Sequence, residues 1–467
     1  MAEHIEHGQL SSGERAVLAA IQRHFSGQII PELLPLVEGN DIWREWRAAT
    51  FAEQRPQQVV FACGKLPPEL IFGVTEPGIQ FSVLAQGLGG KIAHLASANY
   101  AVEHLKDTNG DPSVKVVLVL AHGCSSKASI PCRPQIGTMP IGEEARIAGL
   151  KSSPDGWNKG LAWVDIPREP GAVEVPQGDW LHARATLTQI VQYSEPIQKL
   201  TREGQQVVVQ AWYNDDTGEV VISSVLTSND PAKAPPKDDL IKVATGRYAG
   251  KLDDLHPALR ELERMMFGNR IHVSRFRPAV PTGVLFLCCA DSRVPPGIIT
   301  QAPNGLIRVT RNAGLMVNDG VIRSLTIAVE DSLYARKEQG LPEKLTIVVM
   351  GHADCGAAKA TLASLSGQSI DQEGTNLAGP IISKLQHRFG QYIEQHPDYK
   401  ETDPRLLEAA VANAVGAAYD LLSDIRPAAL RLRAWMREGK LDVVPAVYGL
   451  DGMLTFLRPM PVPVDDE

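Results

Sequence analysis

The chain has 467 residues, 44% hydrophobic and 21% charged, enough for two or three globular domains with ordinary cores. A net charge of −8 offers no basic surplus for nucleic acid, and six scattered cysteines do not make a disulfide framework. The longest apolar run, near Val114 to Ala121, falls far short of the roughly 18 residues of a membrane span, so membrane insertion is not expected. Met1 to Gln9 lacks the basic and apolar regions of a signal peptide, which points to a cytoplasmic protein.

In chain order, Val17, Ile21 and Phe25 have helical spacing. A short apolar strand then ends at Cys63, followed by a Pro-Pro pair, an apolar segment, a Pro-Gly turn and a second strand. The run from Val114 leads to His122 and Cys124, and residues 202–223 read as strand, Thr-Gly turn and strand. The stretch 228–239, rich in proline and charge, reads as a linker. After it the plan recurs: an amphipathic helix on Leu255, Leu259, Leu262 and Met266, strands at Val284–Leu287 and Leu345–Met350, and a closing strand, Asp-Gly turn and strand over 437–457. This pattern predicts a diverged internal repeat: residues 1–227, a linker over 228–250, and residues 251–467. Apolar strands alternating with helices indicate an α/β fold, each copy having a mostly parallel central sheet flanked by helices.

Cys289-Ala290-Asp291-Ser292-Arg293 and Gly351-His352-Ala353-Asp354-Cys355-Gly356 each follow an apolar strand. In a parallel sheet, residues just past the strand C-termini face the functional crevice. Cys289, His352 and Cys355 therefore make a candidate Cys₂His zinc site, the three-ligand arrangement that leaves a catalytic position open. Zinc there brings the pKa of bound water to about 7 and supplies hydroxide at neutral pH. Asp291 and Arg293 are candidates to orient that water, and the Gly356 amide to hold an anionic oxygen. Cys288 is expected to be an ordinary buried thiol. In the first copy Cys63 and His122 survive, but Gly64-Lys65-Leu66 replaces the Asp-Ser-Arg segment and Cys124 lies one position too close, so no complete zinc site is expected.

The series C-x-D-S-R, R-N-A-G at 311–314 and G-H-x-x-C-G resembles the β-class carbonic anhydrases in residues and order. The resemblance covers most of residues 250–457 and, more faintly, about 15–223. It implies zinc on Cys289, His352 and Cys355, an Asp291–Arg293 dyad controlling the fourth metal position, and reversible hydration of CO₂ to bicarbonate and a proton. It further implies dimers with the site at the interface, where plant-like members draw a Gln, a Phe and a Tyr from the partner. Those positions hold Val280, Arg308 and Ile327 in the second copy, but Gln54, Phe81 and Tyr100 in the first. The two copies are thus expected to pack as an internal pseudo-dimer with one site, and pseudo-dimers to associate further into homo-oligomers. Hydrolysis of COS or CS₂ on the same scaffold, or a zinc-stabilised binding role without catalysis, are the alternatives. His272 is one candidate proton shuttle among several histidines.

Overall fold

The computed structural model describes residues 30, 33–46, 56–63, 65–66, 68–74, 78, 80–85, 95–122, 158–167, 177–275, 282–291, 293–302, 305–367, 381–390, 394 and 406–462. Among them, eleven strands join in one sheet. They are β1 (Gln58–Cys63), β2 (Gln80–Ala85), β3 (Val116–His122), β4 (Leu161–Asp165), β5 (Val207–Tyr213), β6 (Val220–Ser228), β7 (Val284–Cys289), β8 (Ile307–Asn312), β9 (Leu345–His352), β10 (Leu441–Tyr448) and β11 (Leu454–Phe456). The order across the sheet is β11-β10-β9-β7-β8-β2-β1-β3-β5-β6-β4. Within each half the central pairings are parallel, and β1, β3, β7 and β9 are buried along their whole length. Helices covering both faces explain why these strands read as unbroken apolar runs rather than alternating ones.

Reading outward from the middle, the C-terminal half runs β8-β7-β9-β10-β11 and the N-terminal half β2-β1-β3-β5-β6, with β4 added at its edge. The halves meet where β2 lies antiparallel to β8, Leu84 opposite Arg311. One buried cluster runs through both, taking in Val60, Leu118 and Val209 on one side and Phe286, Val348 and Val444 on the other.

Each half also lends a helix to its neighbour. Asn40, on the helix Leu34–Trp46, donates to the carbonyls of Ile299 and Gly452 and accepts from the Leu454 amide, which ties it to the β10–β11 hairpin. Asn269, on the helix Pro257–Ser274, donates to the carbonyls of Ile71 and Gly218 and accepts from the Val220 amide at the β5–β6 hairpin. The residue before each asparagine is a glycine at a close crossing. A Cβ on Gly39 would lie 1.8 Å from the Thr300 carbonyl oxygen, and one on Gly268 would lie 1.8 Å from that of Phe72. Both sites read Gly-Asn-x-Ile, at 39–42 and 268–271, a shared signal that the search for strand repeats passes over.

The helix expected at Leu255–Met266 forms over Pro257–Ser274, with Leu259 and Leu262 fully buried. The stretch 228–250 departs from a plain linker. Ser228 still belongs to β6, and Lys237–Ala244 is a helix that buries Leu240 and Val243 completely. Its prolines sit at the helix start and Asp238 and Asp239 occupy the first turn, where charge and proline favour a helix rather than break one. Further along lie the helices Leu406–Ser423 and Pro427–Arg437. Val17, Ile21, Phe25, Gln54, Cys124, Cys132 and Val280 lie outside the described residues, as does most of the segment 132–177. Among the described residues, no helix is long and apolar enough to cross a membrane.

Candidate metal centre

Cys289 ends β7, His352 ends the neighbouring β9, and Cys355 caps the helix Gly356–Leu365. The parallel β7–β9 pairing brings the two strand ends side by side, and a two-residue turn returns the chain to the same point. Their ligand atoms all lie within 4.8 Å of one another, the one such cluster of His, Cys, Asp or Glu among the described residues. The two sulfurs are 4.0 Å apart, and Cys289, His352 and Cys355 are 5%, 1% and 4% exposed.

The local chemistry fits a cation. His352 Nδ1 donates to the Ala353 carbonyl at 2.9 Å, which leaves Nε2 as the ligating nitrogen. That Nε2 is buried with no partner in hydrogen-bonding geometry among the described residues. Such an orphaned atom is unfavourable unless something binds it. A hydrogen bond from Cys355 holds the Cys289 thiol well below its ordinary pKa; burial opposes this, and His352 assists. As that donor, and buried, Cys355 is pushed up. The Gly314 amide points at the Cys289 sulfur from 3.5 Å. Gly314 has φ +68°, and a Cβ there would come within 2.8 Å of the Ala357 side chain, so the R-N-A-G glycine meets both a conformational and a spatial demand. Cys288, by contrast, is fully buried, and burial raises its thiol to about 12.

Asp291 is 4% exposed and fixed by Arg293, whose Nη2 donates to Oδ2 at 2.6 Å and Nε to Oδ1 at 2.9 Å. Oδ2 lies 3.9 Å from His352 Nε2. Burial would raise the Asp291 pKa, but the Arg293 hydrogen bonds together with the charges of His352 and Arg293 lower it on balance and keep the carboxylate ionised. Arg293 reaches onward to Asp354, Nη1 to Oδ2 at 2.7 Å and Nη2 to the backbone oxygen at 2.9 Å. Lys359 donates to the other Asp354 oxygen at 3.0 Å. Asp354 has φ +58°, an uncommon conformation for a non-glycine residue, held here by these contacts. Sequence reasoning treated Asp354 as a spacer inside H-x-x-C; its part depends on a backbone angle that the motif does not display. Gly356 is the first residue of its helix, where amides lack intrahelical acceptors.

The N-terminal half closes on this centre. Arg311, fully buried, donates to the carbonyls of Cys289 (3.0 Å) and Asp291 (2.6 Å) and pairs with Glu69 at 2.5 Å. Ser97, on the helix Leu95–His104, accepts from the Ala313 amide at 2.9 Å. Tyr100 lies three residues along that helix, and Phe81 lies on β2. The side chains of Phe81 and Tyr100, like all of Gln54, are outside the described structure. Arg308, the counterpart of Phe81 in the second half, bonds Asp331 at 2.5 Å, and Lys65 joins the same carboxylate oxygen at 2.8 Å. His272 shares a 3.2 Å hydrogen bond with Tyr213, the ladder partner of His122, which sets it against the N-terminal half rather than beside Cys289.

Residues 284–453 match the family model described as carbonic anhydrase. A carbonic anhydrase of Synechococcus elongatus is 35% identical over 174 residues, 36% of this chain and 57% of that protein. One of Synechocystis is 40% identical over 85 residues, 17% of this chain and 27% of that protein. The chain thus spans between about a quarter and just over half of these relatives. Among solved structures, a Coccomyxa β-carbonic anhydrase in complex with acetazolamide aligns with 41% of this chain and 79% of its own at 23% identity and TM-score 0.31. A tetrameric β-carbonic anhydrase of Sordaria macrospora aligns with 38% and 81% at 23% identity and TM-score 0.30. On the family match and the sequence relatives, residues 284–453 are similar to the carbonic anhydrases.

Proposed function

We propose that the protein is a zinc-dependent carbonic anhydrase of the β class that hydrates CO₂ reversibly to bicarbonate and a proton. The observation that carries this reading is the buried Cys289–His352–Cys355 cluster with ionised Asp291 held by Arg293 beside the orphaned His352 Nε2. Cys289, His352 and Cys355 would hold the metal, which when bound supplies Lewis acidity and a water acidic enough to ionise near neutral pH. Asp291 accepts a hydrogen bond from the nucleophile and so directs its lone pair at the CO₂ carbon. Arg293 keeps that carboxylate charged and turned toward the reacting centre. The Gly356 amide, at the start of its helix, would stabilise developing negative charge on oxygen.

The two halves read as duplicated domains packed as an internal pseudo-dimer. The repeated strand order, the reciprocal Asn40 and Asn269 contacts and the pairing of the corresponding residues Leu84 and Arg311 support this. One site per chain follows, with its metal from the C-terminal half and Gln54, Phe81 and Tyr100 from the N-terminal half. Docking of Ser97 on Ala313 supports the approach of the Tyr100 helix. At the other junction, Lys65, Asp331 and Arg308 supply charges where an apolar CO₂ pocket would be needed. Stopped-flow CO₂ hydration with zinc determined on the same sample tests the reading. Rapid turnover at one zinc per chain supports it; bound zinc without turnover shifts the assignment to COS or CS₂ hydrolysis or to a binding role.

A further inference from the structure

The pairing of β7 with β9 ends at Cys288 opposite Met350, and that of β1 with β3 at Ala62 opposite Leu120. Cys63 and His122 therefore stand one and two residues past the last paired positions, the same relation that Cys289 and His352 have. The next strand repeats the match, with Tyr213 opposite His122 and Tyr448 opposite His352. Beyond that point the surroundings diverge. His352 Nδ1 faces a neutral backbone carbonyl, whereas His122 Nδ1 meets the Asp215 carboxylate at 3.0 Å. The position two past the cysteine is Lys65 instead of an aspartate, and it is drawn off to Asp331. His122 Nε2 is buried on a side chain 5% exposed, with no oxygen or nitrogen partner among the described residues, and the Cys63 sulfur is the neighbour that acts on it.

We infer that Cys63, His122 and Asp215 form a second, metal-free site: a thiolate held by an imidazolium–carboxylate relay, which reacts with small hydroperoxides. The arrangement places a nucleophile, a base and an orienting carboxylate in series. Burial alone would lower the His122 pKa, yet the Cys63 sulfur and the Asp215 carboxylate raise it to about 9, so the imidazole keeps its second proton at neutral pH. In the step, the Cys63 sulfur attacks one peroxide oxygen, an S–O bond forms and the O–O bond breaks. Sulfur is oxidised by two electrons to the sulfenic acid, and the departing hydroxide takes the His122 proton and leaves as water. Asp215 holds the imidazole in the donating orientation, and its side chain, 44% exposed, gives the relay a face to solvent. Water-sized peroxide suits a thiol that is itself 2% exposed.

The test uses the full-length, zinc-loaded chain, in which Cys289 and Cys355 are covered by metal. It is exposed briefly to hydrogen peroxide, treated with catalase, and quenched in denaturant with dimedone, and the adducts are located by peptide mass spectrometry. Cys63 is expected to carry the adduct ahead of Cys288, Cys124 and Cys132. Asp215→Asn, on an exposed turn, should slow its formation about fivefold or more while zinc content and CO₂ turnover stay unchanged. His122→Gln should abolish it; should that variant misfold, Asp215→Asn still decides. No adduct at Cys63, equal rates in the wild type and Asp215→Asn, or a second zinc per chain that Cys63→Ser removes would each overturn the assignment.

Discussion

The ends of β7 and β9 and the ends of β1 and β3 hold the same pair, a cysteine and a histidine, in the same register. They differ in what surrounds the pair. Around Cys289 and His352 stand a second thiol at 4.0 Å, a carboxylate fixed by arginine, and a carbonyl that sets the imidazole tautomer. Around Cys63 and His122 stand a carboxylate on the imidazole and a lysine turned away to the other half. A metal site is thus defined less by its most recognisable ligands than by the third ligand and the groups that orient the set.

The comparison breaks most decisively at the cysteines. Cys289→Ser should remove zinc and lower CO₂ hydration by about 10³-fold or more, because the acidified nucleophile disappears. Cys63→Ser should leave both within about twofold, as metal analysis and stopped-flow would show. Similar losses in both variants would mean that the N-terminal pair also serves the metal.

The joint between the halves comes next. Arg311→Met strands buried Glu69 and frees the Cys289 and Asp291 carbonyls, so urea denaturation should show a loss of about 3–5 kcal/mol. Adding Glu69→Gln should recover part of that loss, since no unpaired charge then remains buried. A smaller effect is expected at Asp354. Asp354→Asn loosens Arg293 and should reduce turnover about tenfold, or ~1.4 kcal/mol, with zinc retained. The smallest concerns acid stability. Burial would raise the Asp331 pKa, but Arg308 and Lys65 together hold it below the usual carboxylate value. Its contribution is therefore complete above the unfolded pKa of about 3.9 and is lost as pH falls through the lower folded value. Asp331→Asn should flatten the stability curve in that window by about 1 kcal/mol relative to the wild type.

The clustering of Cys289, His352 and Cys355 was legible because these residues lie in two short runs just past apolar strands, where sequence adjacency and spatial adjacency coincide. The α/β class was legible for the same reason, from unbroken apolar strands between helices. Asp354 was in plain view but silent, because its role rests on φ +58° and on an arginine 61 positions earlier. The helix Lys237–Ala244 was hidden by prolines and charge that suit a linker and a helix start equally. The Gly-Asn-x-Ile pair was readable as text, but its meaning, a helix crossing onto the opposite half, comes from contacts far apart in the chain. The meeting of β2 and β8 through Leu84 and Arg311 left no pattern at all.

That crossing has a consequence for how the protein is made. On the ribosome, the Leu454 amide that Asn40 binds emerges 414 residues after it. The helix Leu34–Trp46 must wait undocked through that interval, exposing apolar surface that invites chaperones and wrong partners. Maturation of the N-terminal half is then gated by that of the C-terminal one, so a nascent chain stalled before the β10–β11 hairpin would leave both halves unfinished.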